Sequence, residues 1–137
     1  MTSRPKVGTV GEVRFTVELK HAIDFVDDQM PAVLSTPWLI WFLEHAAREA
    51  VLPCLESGES TVGTQVDIEH LAPTPLGLKV TCRARVIHTD MPVVSLQLEA
   101  RDEQELIARG FHKLRIISCE RFANRVNSKT KHSRSVS

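Results

Sequence analysis

Three residues of this chain carry side chains suited to chemistry at a carbonyl: Thr36, Glu44 and His70. A carboxylate can take a proton from water or attack the carbon itself. An imidazole titrates near neutrality and can give or take a proton. A hydroxyl can orient either group. Spacing decides whether they can meet. On a helix, Thr36 and Glu44 stand roughly two turns apart and about 80° apart around the axis, so they share one edge. His70 ends a stretch in which Val62, Thr64, Val66 and Ile68 alternate with Gly63, Gln65, Asp67 and Glu69. A period of two puts the imidazole beside Val66 and Ile68, toward a core, with the acids facing out. Each residue also has a plain structural reading. Thr36 is a helix cap, Glu44 a rim carboxylate paired with Arg48, and His70 a satisfied core histidine.

The element that must position the first two is the segment Ser35 to Leu52, STPWLIWFLEHAAREAVL. Thr36 is the expected N-cap, Pro37 fits the first helical position, and Pro53 ends the helix. Leu39, Ile40, Leu43, Ala46, Ala47, Ala50 and Val51 fall on one arc. His45, Arg48 and Glu49 fall opposite, and Glu44 lies at the border of the apolar face, half buried. The chain beyond the helix reads as strand. Leu78 to Ile87 puts Val80, Cys82, Ala84 and Val86 inward. A second run puts Val94, Leu96, Leu98 and Ala100 inward. A third, Leu106 to Ile117, puts Ala108, Gly110, His112, Leu114 and Ile116 on one side. Before the helix, Glu12 to Leu19 is a half-buried first strand, and residues 20–34 form a connection expected to lie over a cleft. Short links between the later strands favour antiparallel hairpins. A single apolar helix and about five strands with one greasy face each pack by curling the sheet around the helix. The exposed edges of such a sheet are covered if two copies pair edge to edge.

Composition bounds the function classes. Seventeen Lys and Arg balance seventeen Asp and Glu, which argues against nucleic acid or an anionic membrane as the main partner. The opening MTSRPKVGTVGEV has no apolar run, so no signal peptide is expected, and no stretch approaches transmembrane length. Cys54, Cys82 and Cys119 are odd in number and widely spaced, with no CxxC. They read as reduced thiols of a cytoplasmic protein, with Cys82 a small core filler. Residues 1–10 are expected to be a flexible lead and 11–118 the folded domain. Residues 119–137 are expected to form one surface turn, anchored by Phe122 and Val126, then a disordered basic tail. His21, His45 and His88 read as surface residues. His112 faces inward in a structural or supporting role. Trp38 and Trp41 lie off the buried arc, at a dimer seam, along a substrate channel or in the core.

Across roughly residues 10 to 125, the chain resembles the hotdog-fold thioesterases, and among them the fluoroacetyl-CoA thioesterase-like family. The resemblance is carried by Thr36, by Glu44 in LEHAAREA, by TVGTQVDIEHLAPTPLG from Thr61 to Gly77, and by RGFH at Arg109 to His112. It implies an α+β hotdog fold: a five- to six-stranded antiparallel sheet wrapped around one central helix. It further implies a homodimer or tetramer with the site near the dimer interface, and hydrolysis of an acyl-CoA thioester. Thr36, Glu44 and His70 would be catalytic, and the backbone N–H of Gly63 would face the acyl group. No metal or redox cofactor is implied, and coenzyme A enters as part of the substrate. Two features depart from the family pattern. The segment before the helix, DFVDDQMPAVL, is short and has only Phe25 where the fluoroacetyl-specific member has a phenylalanine-rich lid. Leu114 stands where the family has an arginine, with Arg115 next and facing the other way. Selectivity for a fluoroacetyl group is therefore not expected.

Glu44 would act as base or nucleophile, and His70 would protonate the leaving thiolate or stabilise the developing charge. Phosphates of coenzyme A would need basic groups, for which Arg83, Arg85, Lys113 and the tail are candidates. The competing reading is a non-catalytic acyl-CoA or small-ligand binding module on the same fold. A hydratase is disfavoured because Gln65 stands five residues before His70, where an aspartate would be needed.

Overall fold

Ser35, not Thr36, caps the central helix. In the computed structural model, which describes residues 4–25 and 28–136 (side chains to 131), helix α1 spans Thr36–Val51. The Ser35 side chain accepts from the Trp38 N–H. Thr36 becomes the first helical residue, and its hydroxyl is released for another partner. The buried arc is close to the expected one: Leu39, Phe42, Leu43, Ala46, Ala47, Ala50 and Val51. Phe42 joins it and Ile40 is only partly buried. Glu44 is exposed in the single chain rather than half buried, and Arg48 is partly buried rather than opposite the core.

Five strands surround this helix: β1 Val10–Thr16, β2 Glu59–His70, β3 Lys79–Asp90, β4 Val93–Arg101 and β5 Leu106–Ser118. They form one antiparallel sheet in the order β1-β3-β4-β5-β2, so β1 and β2 are its edges. Period-two alternation is clearest in the inner strands. Val80, Cys82, Ala84 and Val86 of β3 are buried, as are Val94, Leu96, Leu98 and Ala100 of β4. Burial pushes the Cys82 thiol up to about 12, which leaves it an inert filler. The first strand stops before Leu19, which is exposed because the chain turns into a 3-10 helix at Leu19–His21.

The helix lies close to β1. A Cβ on Gly11 would collide with the backbone of Ala46 and Ala50. Only glycine facing alanines permits this approach, and it fixes the helix along its axis. Its N-terminus is fixed by backbone bonds. Ser35 N–H donates to the His21 carbonyl and Leu34 N–H to the Thr74 carbonyl, at 2.8 and 2.9 Å. Thr74 is itself buried, and its hydroxyl donates to Asp102 Oδ2 at 3.0 Å. The loop after β2 is thereby tied to the start of α1.

His21 is buried, contrary to the surface reading. Its Nδ1 accepts from the Glu18 N–H, and its ring meets Phe15, Trp38 and Phe42 edge-on. Trp38 packs partly against the core while Trp41 stays exposed, with its ring tilted against His45. Residues 119–136 differ from the expected turn and disordered tail, because Cys119–Val136 continues from β5 as a second helix, α2. Phe122 and Val126 are exposed on it. Part of the connection expected to cover a cleft, residues 26–27, lies outside the described residues.

Candidate active site

The edge strand β2 runs beside α1 and meets it at two places. At the C-terminal end of β2, His70 reaches the first turn of the helix. Thr36 Oγ1 and His70 Nδ1 lie 2.8 Å apart, a hydrogen bond across 34 residues of chain. The bond exists because Ser35 takes the capping role. The other ring nitrogen, His70 Nε2, is enclosed and makes no hydrogen bond among the described residues. Burial lowers the pKa of this histidine, partly offset by the backbone at Ala72, so the neutral ring prevails at pH 7.

At the N-terminal end of β2, Glu44 faces Gly63. A Cβ built on Gly63 would lie 2.8 Å from Glu44 Oε1 and 3.1 Å from His112 Cε1. The carboxylate and the His112 ring therefore flank the glycine within about 6 Å of each other. They line a cavity of about 120 Å³ together with His45, Arg48, Thr61 and Leu114. Arg48 does not pair with Glu44. Its guanidinium donates to the hydroxyls of Ser60 and Thr61, at 3.0 and 3.2 Å. His112 is buried in β5. Desolvation lowers its pKa, while the Glu44 charge and the Gln65 backbone pull it back up.

Within one chain the four expected residues thus form two groups. Thr36 meets His70, and Glu44 meets Gly63. Gly63 and His70 stand toward opposite ends of an extended strand, roughly 20 Å apart. His112, read from the sequence as a supporting residue, belongs to the second group. Alternation places it inward, but only the pairing of β5 with β2 sets it beside Gly63 and Glu44. Leu114 lines the same cavity, so the site presents an apolar side chain at that position. Among the described residues no cluster of three or more His, Cys, Asp or Glu is placed to hold a metal ion.

A helix clasped by a five-stranded antiparallel sheet is shared with solved structures. A Thermus thermophilus thioesterase superfamily member matches with a TM-score of 0.88 at 25% identity, over 96% of this chain and 97% of its own. A structure of the fluoroacetyl-CoA thioesterase FlK matches with a TM-score of 0.84 at 28% identity, over 90% of this chain and 96% of its own. Fold and neighbours define the class: a hotdog-fold thioesterase. A sequence model of the fluoroacetyl-CoA-specific thioesterases matches residues 17–120. The fluoroacetyl-CoA thioesterase of Streptantibioticus cattleyicolor is 33% identical over 102 residues, 74% of this chain and 73% of that protein. The chain belongs to the fluoroacetyl-CoA-specific thioesterase family.

Proposed function

We propose that this protein hydrolyses an acyl-CoA thioester, with Thr36, Glu44 and His70 as catalytic residues and the Gly63 N–H as oxyanion donor. One observation carries the reading. The helix sets a hydroxyl on His70 and, two turns on along the same edge, a carboxylate against Gly63. Glu44 delivers the attack on the carbonyl carbon, as base on water or as nucleophile. The Gly63 N–H receives the negative charge that develops on the carbonyl oxygen, a contact worth about 3 kcal/mol. Thr36 holds the His70 ring. With its O–H donating to Nδ1, the proton sits on Nε2, and that N–H steadies the negative charge that develops on the leaving group. The chemistry draws on side chains and backbone, and coenzyme A enters with the substrate.

The two groups become one site in a homodimer, or in a tetramer built from it. Strand β2 is a sheet edge, and Val66 near its middle is 40% exposed. Two copies pairing antiparallel about a two-fold axis between Val66 and Asp67 set Gly63 of one opposite His70 of the partner subunit. Such pairing brings the Glu44 end of each chain to the Thr36–His70 end of the other. It also covers the edge, which an isolated chain leaves open to aggregation. The three free cysteines support a reducing compartment, the cytoplasm. Among the described residues no helix is long and apolar enough to cross a membrane.

A thiol-release assay over short and medium acyl-CoAs tests the activity, with sedimentation to test the assembly. Turnover on at least one acyl-CoA is expected. Val66→Asp should yield monomers and lose turnover at least about tenfold, since each site would lack half its residues. A monomeric wild type with full activity would separate the site from the dimer.

A further inference from the structure

His112 carries no part of the chemistry proposed above, yet it sits where the chemistry happens. Its side chain is buried, it lines the Glu44 cavity, and its Cε1 flanks Gly63 beside the carboxylate. Its Nδ1 is enclosed, and the Gln65 backbone lies beside the ring. Glu44 forms no ion pair among the described residues, and Arg48, one turn on, is engaged by Ser60 and Thr61. The carboxylate and the imidazole thus face a polar cavity that has room for several waters.

We propose that His112 is a further catalytic residue, holding the attacking water jointly with Glu44 so that the enzyme hydrolyses by general-base catalysis rather than through an acylated glutamate. The inference rests on the thioesterase reading and chooses between the two routes that reading leaves to Glu44. Both groups are hydrogen-bond acceptors when Glu44 is ionised and His112 is neutral. A water between them donates one proton to the carboxylate and one to an imidazole nitrogen. Its oxygen lone pairs then face away from both, toward the thioester carbonyl. A single acceptor would leave the water free to swing about one bond, whereas two fix the direction of attack.

The step balances. One O–H bond of the water breaks and its proton passes to Glu44. The oxygen bonds to the carbonyl carbon, the C–S bond breaks, and the electron pair leaves on sulfur. The proton held by Glu44 passes through solvent to the thiolate, while the neutral His70 ring steadies the departing charge with its N–H. The acid product releases the second water proton.

The test compares His112→Leu with His112→Asn and His112→Gln, which restore an acceptor near Nδ1 or Nε2. Steady-state kinetics and melting temperature are read for each. On a substrate that the wild type turns over, His112→Leu should lower kcat at least about tenfold with KM nearly unchanged. The better amide variant should recover most of that loss. Leu and amide variants all at wild-type kcat would overturn the proposal while leaving the thioesterase reading intact. Equal loss in all three, tracking a fall in melting temperature, would return His112 to packing and overturn it as well. Rapid-quench mass spectrometry on the wild type needs no variant. An acyl group trapped on Glu44 would sink the shared-water route, and its absence at substrate saturation is expected. A wild type that hydrolyses no thioester would remove both this inference and the reading beneath it.

Discussion

The two ends of β2 are built differently. At the His70 end, hydroxyl and imidazole are already bonded, and backbone bonds from Leu34 and Ser35 hold the surrounding segments. At the Gly63 end, carboxylate, glycine and imidazole surround a cavity without a direct hydrogen bond among the described residues. One end is already joined by a hydrogen bond, and the other leaves a cavity open. The contrast suits a division of labour. In the proposed mechanism, steadying the leaving group needs a fixed N–H, while attack needs room for the attacker.

Variants at each end can break this contrast. The largest effect is expected at the open end. Glu44→Gln keeps the shape and removes the basic oxygen, so turnover should fall about a hundredfold or more. The exposed position should leave the melting temperature almost unchanged. A hydrolytic rate within about threefold of wild type would remove Glu44 from the chemistry. At the closed end, His70→Ala should cost at least about tenfold in kcat. Thr36→Val should cost less, because it acts through the ring. The double variant should match His70→Ala alone, and additive losses would give Thr36 a role of its own.

Gly63→Ala sharpens the comparison at smaller cost. Its methyl meets the flexible end of Glu44 and the edge of the His112 ring, so the fold yields easily but the carboxylate moves. About a tenfold loss of turnover with little change in melting temperature is expected. The smallest effect is on stability against pH. Burial lowers the pKa of both His70 and His112 from the ordinary 6.5. The unfolded chain therefore binds more protons than the folded one between the lowered values and 6.5. The neutral folded state is favoured in full above about pH 6.5, and that advantage is lost as pH falls through the folded values. Thermal melts from about pH 7.5 to about pH 5 should show a falling melting temperature, and His112→Leu should flatten the fall. Unchanged slopes in that variant would mean that His112 titrates as it does in the unfolded chain.

Much of this is legible in the chain itself. The apolar arc and Pro53 mark the helix, and strict alternation marks β3 and β4. The cap is ambiguous from sequence because Ser35 and Thr36 are both good capping residues and Pro37 fits either first-turn position. That difference of one residue decides whether the Thr36 hydroxyl serves the helix or His70. His112 is legible as inward but not as a neighbour of Glu44, since only cross-strand register brings its ring to Gly63. His21 reads as surface because its burial depends on Trp38 and Phe42, which the helix brings back over it. The polar, serine-rich composition of residues 119–137 suggests disorder, yet Glu120, Arg121, Arg125, Lys129 and Lys131 are all at ease in a helix. Polarity says only that such a segment has no core of its own, and local propensity then decides its shape.

The glycine of β1 that lets the helix backbone approach has a consequence at the far side of the molecule. Gly11 sits against Ala46 and Ala50, which bracket the turn just past Glu44. A larger residue at that seam would push the rod outward or along its length, and the carboxylate would travel with it. The direction in which Glu44 points is therefore set from behind, by glycine and alanine side chains. Changes in reactivity can arise at a position that no substrate ever touches.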